Sequence, residues 1–254
     1  MQALAHSGRL FVGLTALVLV AVACGSGEGE AAGESAPKTA ATIPISEFTT
    51  TTAAAQAIPT DYAEFRGQVT ACGAEQPPPI ETMQYTSPED QNLDPDQPVT
   101  VILATSCGDI VIEVDPAASP ETVNSFVFLA TEGYFDGGAS HRISPSFVIQ
   151  AGDPTATGFG GPGYVIPDEH PEEGFVYERG VVAMANAGPG STGSQFFIMI
   201  GDSGLPPTFS VLGRVITGLD VVDRIEAIPL GVSARGEQSV PLETLYLETV
   251  TITR

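Results

Sequence analysis

Two stretches of this chain combine polar side chains with aromatic residues at spacings that could serve chemistry. The first is SHRISPSFVIQAGD, residues 140–153, and the second is MANAGPGSTGSQFFI, residues 184–198. Together they supply one guanidinium, amide groups and several aromatic rings. They supply no nucleophile and no general base with an orienting partner. From the residues alone, the two stretches predict an apolar pocket with a few polar anchors.

Other kinds of site have weaker support in the sequence. The run GFGGPG, residues 158–163, matches a dinucleotide-binding pattern, but Pro162 lies inside it and no helix follows, so we interpret it as a flexible loop. Only His141 and His170 are available as bases in the folded part, which argues against a hydrolase triad. The acidic run DEHPEE, residues 168–173, favours a solvated loop over a cation site. We expect no metal and no cofactor.

The net negative charge of the chain bears on which partners it can bind. Lys and Arg number 9 against 31 Asp and Glu, which gives a formal net charge of −22. Phosphate backbones are bound by clustered cations, so the composition argues against a nucleic-acid partner. Acidity of this degree is typical of a well-solvated surface.

The elements that must position the two stretches are mostly short strands. The run VTVILATSCGDIVIEV, residues 99–114, predicts two strands around a tight turn at Ser106–Asp109. Short apolar runs bounded by turn residues predict the remaining strands, and these runs are SFVIQAGD, GVVAMANA, SQFFIMIG, FSVLGRV and LYLETVTIT.

Two helices complete the predicted domain. The run SPETVNSFVFLATEGYF predicts a helix with Ser119 as its N-cap, Pro120 at its first position and Gly133 as its stop. The run GLDVVDRIEAI predicts a second helix. Many short strands with two helices favour a closed β-barrel or a sandwich.

Side-chain alternation along the strands indicates which residues share a face. Successive side chains of a strand point to opposite faces, so Gln195 and Phe197 share one face of their strand. Val148 and Gln150 likewise share a face, with Phe147 on the opposite face unless the strand bends there.

The N-terminus has the pattern of a targeting segment. Arg9 precedes a 14-residue apolar run, residues 10–23, which is short for a membrane span but suits a signal peptide. The run ends in AVAC and is similar to a bacterial lipobox, which predicts a signal peptide over 1–23 and lipidation at Cys24. Simple secretion and a retained membrane helix are the alternatives.

The segment between this N-terminus and the strands carries little apolar surface. Residues 24–60 are small, polar and non-periodic, so we predict a disordered, lipid-anchored tether. Residues 61–97 are rich in proline and acidic residues, and we predict an extended segment that lies over a domain spanning 98–254. Export and an even pair of cysteines favour a Cys72–Cys107 disulfide, with two buried free thiols as the alternative.

The two stretches quoted at the outset resemble the signature of the cyclophilins, the cyclosporin-binding peptidyl-prolyl cis–trans isomerases. The family patterns are roughly F-H-R-I-x-P-x-F-x-x-Q-G-G-D and M-A-N-A-G-P-x-T-N-G-S-Q-F-F-I. The resemblance extends from about Thr100 to Thr253 and leaves out everything before it. It implies a mainly β fold, a closed eight-stranded antiparallel barrel capped by two helices.

The resemblance also implies roles for individual residues. Arg142 is the expected catalytic cation, and His141 is expected to support the site beside it. Phe147, Phe197 and Leu205 are expected to form the proline pocket. The residues expected to hold the peptide are Gln150, Ala185, Asn186 and Gln195.

Three positions depart from the best-known members of the family. Val148 stands where methionine is usual, and Phe209 stands where histidine is common, so these two leave the substrate preference open. Gly204 falls where a tryptophan would contact cyclosporin, and the chain has no tryptophan. We therefore expect weak cyclosporin binding.

The function implied is that of an exported prolyl isomerase. It would act on proline-containing unfolded or exported polypeptides, as a monomer anchored to the outer face of the cell membrane through Cys24. Two alternatives stay open at this point. One is a non-catalytic peptide-binding or chaperone module on the same fold, and the other is a structural protein that uses the barrel as a spacer.

Overall fold

The computed structural model describes residues 56–254. The predicted signal peptide, Cys24 and nearly all of the predicted tether lie outside the described residues. Within the described part, no helix is long and apolar enough to cross a membrane.

The described chain is mainly β. Its three α-helices are α1 (Tyr62–Arg66), α2 (Pro120–Thr131) and α3 (Leu219–Glu226). Its strands are β1 (Val99–Thr105), β2 (Gly108–Val114), β3 (Gly138–Ala139), β4 (Arg142–Ser144), β5 (Val148–Ala151), β6 (Val181–Met184), β7 (Phe196–Met199), β8 (Val211–Thr217), β9 (Leu230–Val232), β10 (Gln238–Pro241) and β11 (Tyr246–Thr253).

One antiparallel sheet contains nine of these strands, in the order β3-β11-β1-β2-β8-β6-β7-β5-β4, and β9 and β10 form a separate two-stranded hairpin. We expected eight strands in a closed barrel. Among the described strands no ladder joins β3 to β4, so closure by a continuous ladder is not confirmed. The additional strand arises because β3, only two residues long, pairs with the start of β11.

The predicted hairpin of β1 and β2 is present and shows how sequence alternation builds the sheet. Alternate residues of β1 are buried, and Val101 and Leu103 stand opposite Ile112 and Ile110. Cross-strand apolar pairs of this kind are the unit of sheet stabilisation. In the turn, the hydroxyl of Thr105 donates to the carbonyl of Gly108.

Both predicted helices pack on the sheet. In α2 the side chains of Val123, Phe126 and Val127 are fully buried. The ring of Phe126 stacks on Phe135 at 5.0 Å and meets Phe196 of β7 edge to face at 5.4 Å. Helix and sheet therefore share one interior, which we call the main core.

The cap of α2 differs from the prediction. Ser119 is the residue at the N-cap position, but its side chain makes no capping hydrogen bond. Instead, the carboxylate of Glu169 accepts from the main-chain N–H groups of Glu121 at 3.1 Å and Thr122 at 2.7 Å. A carboxylate is a stronger acceptor than a hydroxyl and is favoured by the positive end of the helix dipole.

Residues 61–97 are more structured than an extended segment. They contain α1 and a 3₁₀ turn at Ala71–Gly73, while the rest has no regular secondary structure apart from an isolated bridge at Thr70. Phe65 of α1 is buried. The predicted disulfide is present, with 5.2 Å between the Cα atoms of Cys72 and Cys107. It ties this segment to the turn between β1 and β2.

Gly137, directly before β3, permits a close approach of this segment. A Cβ at this position would lie 2.5 Å from the carbonyl oxygen of Pro78, and the residue has φ +78°. Both the contact and the backbone conformation exclude larger residues without rearrangement.

Candidate active site

Three strands of the large sheet bring predicted site residues into one row, and a fourth strand continues it. Arg142 of β4 stands opposite Gln150 of β5, and Gln150 stands opposite Phe197 of β7. Phe197 in turn stands opposite Ala183 of β6. Directly paired residues lie on the same face of a sheet, so these four side chains share a face. Val148 and Gln150, two residues apart in β5, lie on the same face, as predicted.

This face carries an apolar cluster separate from the main core, which we call the site cluster. Its buried members are Val148, Tyr177, Val181, Ala183, Phe197 and Met199. Partly buried residues packed against it are Phe147, Phe175, Ala185, Leu205, Phe209 and Val211. The structure thus gathers all three expected residues of the proline pocket, together with Val148, Ala185 and Phe209.

Phe147 reaches this face because the chain bends just before β5. Ser146 has φ +57°, and β5 begins only at Val148. Alternation alone would have placed Phe147 on the opposite face. The bend instead leaves its ring 5.5 Å from the guanidinium carbon of Arg142. This separation is within the range of a cation–π contact.

Tyr177 completes the aromatic part of the cluster and was not among the predicted site residues. The rings of Phe197 and Phe209 meet edge to face at 5.5 Å. The hydroxyl of Tyr177 donates to the Phe209 carbonyl at 2.7 Å and accepts from the Phe209 N–H at 3.1 Å. Burial raises the pKa of Tyr177. No strand or helix pattern around Tyr177 marked it in the sequence.

A chain of amides leads away from Arg142. Its Nη1 donates to Oε1 of Gln150 at 3.3 Å, and Nε2 of Gln150 donates to Oε1 of Gln195 at 2.9 Å. Nε2 of Gln195 then donates to the carbonyl of Gly160 at 2.9 Å. The two glutamines, one in β5 and one directly before β7, therefore form one connected polar line across the site.

Glu237 is the principal site residue that the sequence did not reveal. Arg142 donates to its carboxylate through Nε at 3.0 Å and through Nη2 at 2.6 Å. Ser144, two residues along β4, also donates to it at 2.8 Å. Hydrogen bonding from Arg142, with a further contribution from Ser144, lowers the pKa of Glu237 to about 2. Glu237 lies 95 residues beyond Arg142, in a loop that carried no motif.

His141 lies beside Arg142 but cannot act as a second cation. Burial lowers its pKa to about 4, although the charge of Asp153 opposes this effect. Its Nδ1 has no hydrogen-bond partner among the described residues. The imidazole is therefore neutral at physiological pH.

The glycine-rich run forms a loop that is held from within by Asp153. The buried carboxylate accepts from the N–H groups of Gly158 at 2.7 Å and Gly160 at 3.0 Å, and from Thr155. Burial by itself would raise the pKa of Asp153, but the hydrogen bonds from Thr155 and Gly160 outweigh it and the net shift is downward.

The segment of residues 61–97 holds the same loop from outside. The main-chain N–H of Tyr85 donates to the carbonyl of Pro162 at 2.7 Å, and Nε2 of Gln84 donates to that of Gly161 at 2.9 Å. We interpreted the run from its sequence as a flexible loop. The structure instead places it in a dense set of hydrogen bonds.

Asn186 and Gly204 border the site on its other side. Nδ2 of Asn186 donates to the carbonyl of Thr208 at 3.0 Å, so this side chain joins two loops. The N–H of Ala185 donates to the carbonyl of Gln195 at 2.8 Å. A Cβ at Gly204 would meet no atom within 4 Å, so the side of the site at this residue is open.

With this geometry in hand, comparison with known proteins identifies the family. The model of the family described as cyclophilin type peptidyl-prolyl cis-trans isomerase/CLD matches residues 100–251. The chain belongs to the cyclophilin family. The matched residues include both stretches, 140–153 and 184–198.

Curated relatives of this cyclophilin come from bacteria and eukaryotes. It is 40% identical over 172 residues to a protein of Mycobacterium tuberculosis described as probable peptidyl-prolyl cis-trans isomerase B, an alignment that covers 62% of this chain and 55% of the relative. It is 42% identical over 151 residues to peptidyl-prolyl cis-trans isomerase ppi1 of Schizosaccharomyces pombe, covering 58% of this chain and 94% of the relative. The chain thus spans just over half the length of the mycobacterial relative.

A solved structure shares the fold. The crystal structure of a cyclophilin-type peptidyl-prolyl cis-trans isomerase of Cryptosporidium parvum matches with a TM-score of 0.55 and 28% identity, covering 62% of this chain and 99% of the other. A second structure of that protein, determined in the presence of the dipeptide Ala-Pro, matches with a TM-score of 0.54 and 30% identity. The large antiparallel sheet described above is thus a cyclophilin-like fold.

Proposed function

We propose that this protein is a peptidyl-prolyl cis–trans isomerase that acts on exported polypeptides, with Arg142 as the catalytic residue. The observation that carries the proposal is the row of Arg142, Gln150 and Phe197 on one sheet face, with the Arg142 guanidinium 5.5 Å from the Phe147 ring. A planar donor therefore stands at the edge of an apolar cluster. A proline ring needs the apolar surface, and the bond preceding it needs the donor.

The chemistry of the reaction requires little more than these two features. Amide resonance holds the X–Pro bond with a barrier of roughly 18–20 kcal/mol. As the bond twists, conjugation is lost and the proline nitrogen becomes a better hydrogen-bond acceptor. A donor fixed near that nitrogen binds the twisted state more tightly than either planar isomer, and this difference in binding lowers the barrier. No covalent step or cofactor enters this mechanism.

The side chains of the site divide this work. The site cluster would hold the proline ring while the rest of the peptide turns. Arg142 would donate to the proline nitrogen, and Gln150 and Gln195 would orient the peptide through its main chain. His141, neutral and buried, would pack behind Arg142 without taking part in proton transfer.

Replacement of Arg142 tests the proposal. We expect Arg142→Ala to fold normally and to lose roughly 10²–10³ in kcat/KM, the scale for removing one preorganised transition-state donor. Arg142→Lys should recover little, because an ammonium lacks the planar fork and is more strongly hydrated. The measurement is kcat/KM on an X–Pro peptide, with circular dichroism to verify folding. The matched control is Arg214→Ala, which removes an exposed arginine paired with Glu178 at 3.4 Å.

The same assay separates the catalytic from the non-catalytic interpretation. A well-folded Arg142→Ala variant that keeps at least a third of the parent kcat/KM would overturn the catalytic role of Arg142. A parent protein that suppresses aggregation of unfolded polypeptides but does not accelerate isomerisation would be a chaperone module on the same fold.

Export and lipid anchoring through Cys24 complete the proposal. The support is the apolar run of residues 10–23 ending in AVAC, together with a disulfide, which suits an oxidising compartment. In bacteria that export the full chain, we expect Cys24→Ala to move the protein from the membrane fraction to the soluble fraction. Labelling with a fatty acid should mark the parent and spare the variant. Equal labelling of both would overturn the anchor.

A further inference from the structure

The hairpin of β9 and β10 carries Glu237 to the back of the guanidinium. The hairpin packs beside β4, the strand that holds both Arg142 and Ser144. Two hydrogen bonds between Ser233 and Glu237 close its loop. The N–H of Ser233 donates to the carbonyl of Glu237 at 2.7 Å, and the N–H of Glu237 donates to the hydroxyl of Ser233 at 3.2 Å. A hydrogen-bonded turn therefore holds the Glu237 carboxylate in position.

The geometry points to Glu237 as a positioning residue for the Arg142 guanidinium. Glu237 takes the Nε and Nη2 side of the group through two hydrogen bonds, at 3.0 Å and 2.6 Å. Two roughly parallel bonds of this kind fix the plane of a guanidinium as well as its location. The inference rests on the proposed function, because it concerns how Arg142 is aimed at the substrate.

An inventory of donors shows why this pairing suits the reaction. A guanidinium has five N–H donors. The described residues engage three of them, two through Glu237 and one through Gln150. The donors that remain are one on Nη1 and one on Nη2, and they are available to a bound peptide. The side chain of Arg142 is 27% exposed, so a peptide can reach it.

Replacement of one carboxylate oxygen of Glu237 tests the positioning role. We expect Glu237→Gln to lower kcat by about tenfold with little change in KM, because positioning acts on the transition state more than on substrate binding. Gln keeps the size of the side chain but replaces one acceptor by a donor that would face the guanidinium. Ser144→Ala, which removes only one hydrogen bond to the carboxylate, should give a smaller loss in the same direction.

The control is a carboxylate in an equally short ion pair outside the site. Asp223 accepts from Nη2 of Arg179 at 2.6 Å, the same distance as the pair of Arg142 with Glu237. Asp223→Asn should leave kcat and KM unchanged. Melting temperatures of all variants show whether a change in activity merely follows a change in stability.

The double variant decides whether Glu237 acts through Arg142. In the Arg142→Ala background, Glu237→Gln should have no further effect, because there is no guanidinium left to position. A tenfold loss in both backgrounds would overturn the inference, since Glu237 would then act by itself. An increase in kcat on Glu237→Gln would overturn it too, since the ion pair would then restrain the enzyme.

These results also separate the inference from the proposed function. If Arg142→Ala loses activity while Glu237→Gln stays within twofold of the parent, the positioning role fails and the catalytic role of Arg142 stands. If Arg142→Ala is fully active, the catalytic role fails and the positioning role fails with it.

Discussion

The two faces of strands β5, β6 and β7 both carry apolar clusters, but the clusters have different surroundings. On one face Ile149, Ile198 and Val182 stand opposite one another and belong to the main core. On the other face Gln150, Phe197 and Ala183 stand opposite one another, one residue along each strand. The first row lies in the same core cluster as the buried side chains of α2. The second is bordered by Arg142 and loops.

The difference between the two faces indicates which side chains of the sheet contribute mainly to stability and which mainly to activity. Main-core side chains belong to one buried apolar cluster, so replacing them mainly removes packing. The site cluster lies beside the polar groups of Arg142 and Gln150, where the proposed peptide would bind. Replacing neighbouring residues of one strand should therefore affect stability in one case and activity in the other.

Phe196 and Phe197 provide the sharpest test because they are adjacent and both buried, at 1% and 4% exposure. We expect Phe196→Ala to lower the free energy of unfolding by about 3–5 kcal/mol, the usual cost of a large cavity in a core. Its kcat/KM per folded molecule should be unchanged. Phe197→Ala should lower kcat/KM at least tenfold, since the apolar seat for proline is truncated, and should destabilise the protein less.

Urea unfolding and the isomerase assay on the same preparations measure both effects. If Phe196→Ala does not fold, Phe196→Leu provides a milder change on the same face. Equal loss of activity in the two variants, after correction for the folded fraction, would contradict the division between the faces.

The Cys72–Cys107 disulfide should belong to the main core in this comparison. Cys107 is part of the core cluster, and the bridge spans 35 residues. By the chain-entropy argument it contributes roughly 2–4 kcal/mol. The double variant with serine at both positions should be less stable by that amount and keep its kcat/KM. Non-reducing digestion and mass spectrometry should recover the linked peptides, and recovery of two free thiols from oxidising conditions would contradict the bridge.

The buried His141 should make the stability of the protein depend on pH. Its pKa is about 4 in the folded protein and near 6.5 when exposed, so between these values only the unfolded state binds the proton. Stability from this residue is complete above about pH 6.5 and is lost as the pH falls towards 4, by at most about 3 kcal/mol.

We expect His141→Phe to flatten this part of the stability–pH curve, measured by urea unfolding at each pH. His170→Asn, which removes a half-exposed imidazole 3.9 Å from Asp168, is the control and should keep the slope. An unchanged slope in His141→Phe would show that other groups cause the acid sensitivity.

The smallest expected effect concerns cyclosporin at the open side of the site. The absence of a large aromatic residue at Gly204 should weaken binding by about 2 kcal/mol, or roughly 30-fold. Because a Cβ at this position would meet no atom within 4 Å, we expect Gly204→Trp to fold and to bind more tightly. Calorimetry measures both affinities. Nanomolar binding by the parent would contradict the prediction.

Local pattern was sufficient to predict much of the fold and of the site. Alternation and turn residues predicted the hairpin of β1 and β2, and apolar spacing predicted α2 and α3. Within the two family stretches, the residues from Arg142 to Gln150 and from Ala185 to Phe197 are close enough in sequence for their motifs to be read directly. Their proximity in space then follows from the register of three strands.

What the sequence missed depends on contacts between distant segments. Glu169 caps α2 from 47 and 48 residues away, and Ser119, which looked like the cap, makes no such bond. The short strand β3 and the hairpin of β9 and β10 are too brief to give a periodic signal. Phe147 changes face because of one left-handed residue, Ser146.

The sequence by itself determined the chemistry that is available, a single guanidinium among aromatic rings and amides, because residue types and short spacings are local properties. Only the tertiary structure decided that this guanidinium donates hydrogen bonds to Glu237 and that residues 61–97 donate hydrogen bonds to the glycine-rich loop. Hydrogen bonds depend on distance and direction in space. A carboxylate 95 residues away becomes the nearest partner of Arg142 only after the chain has folded.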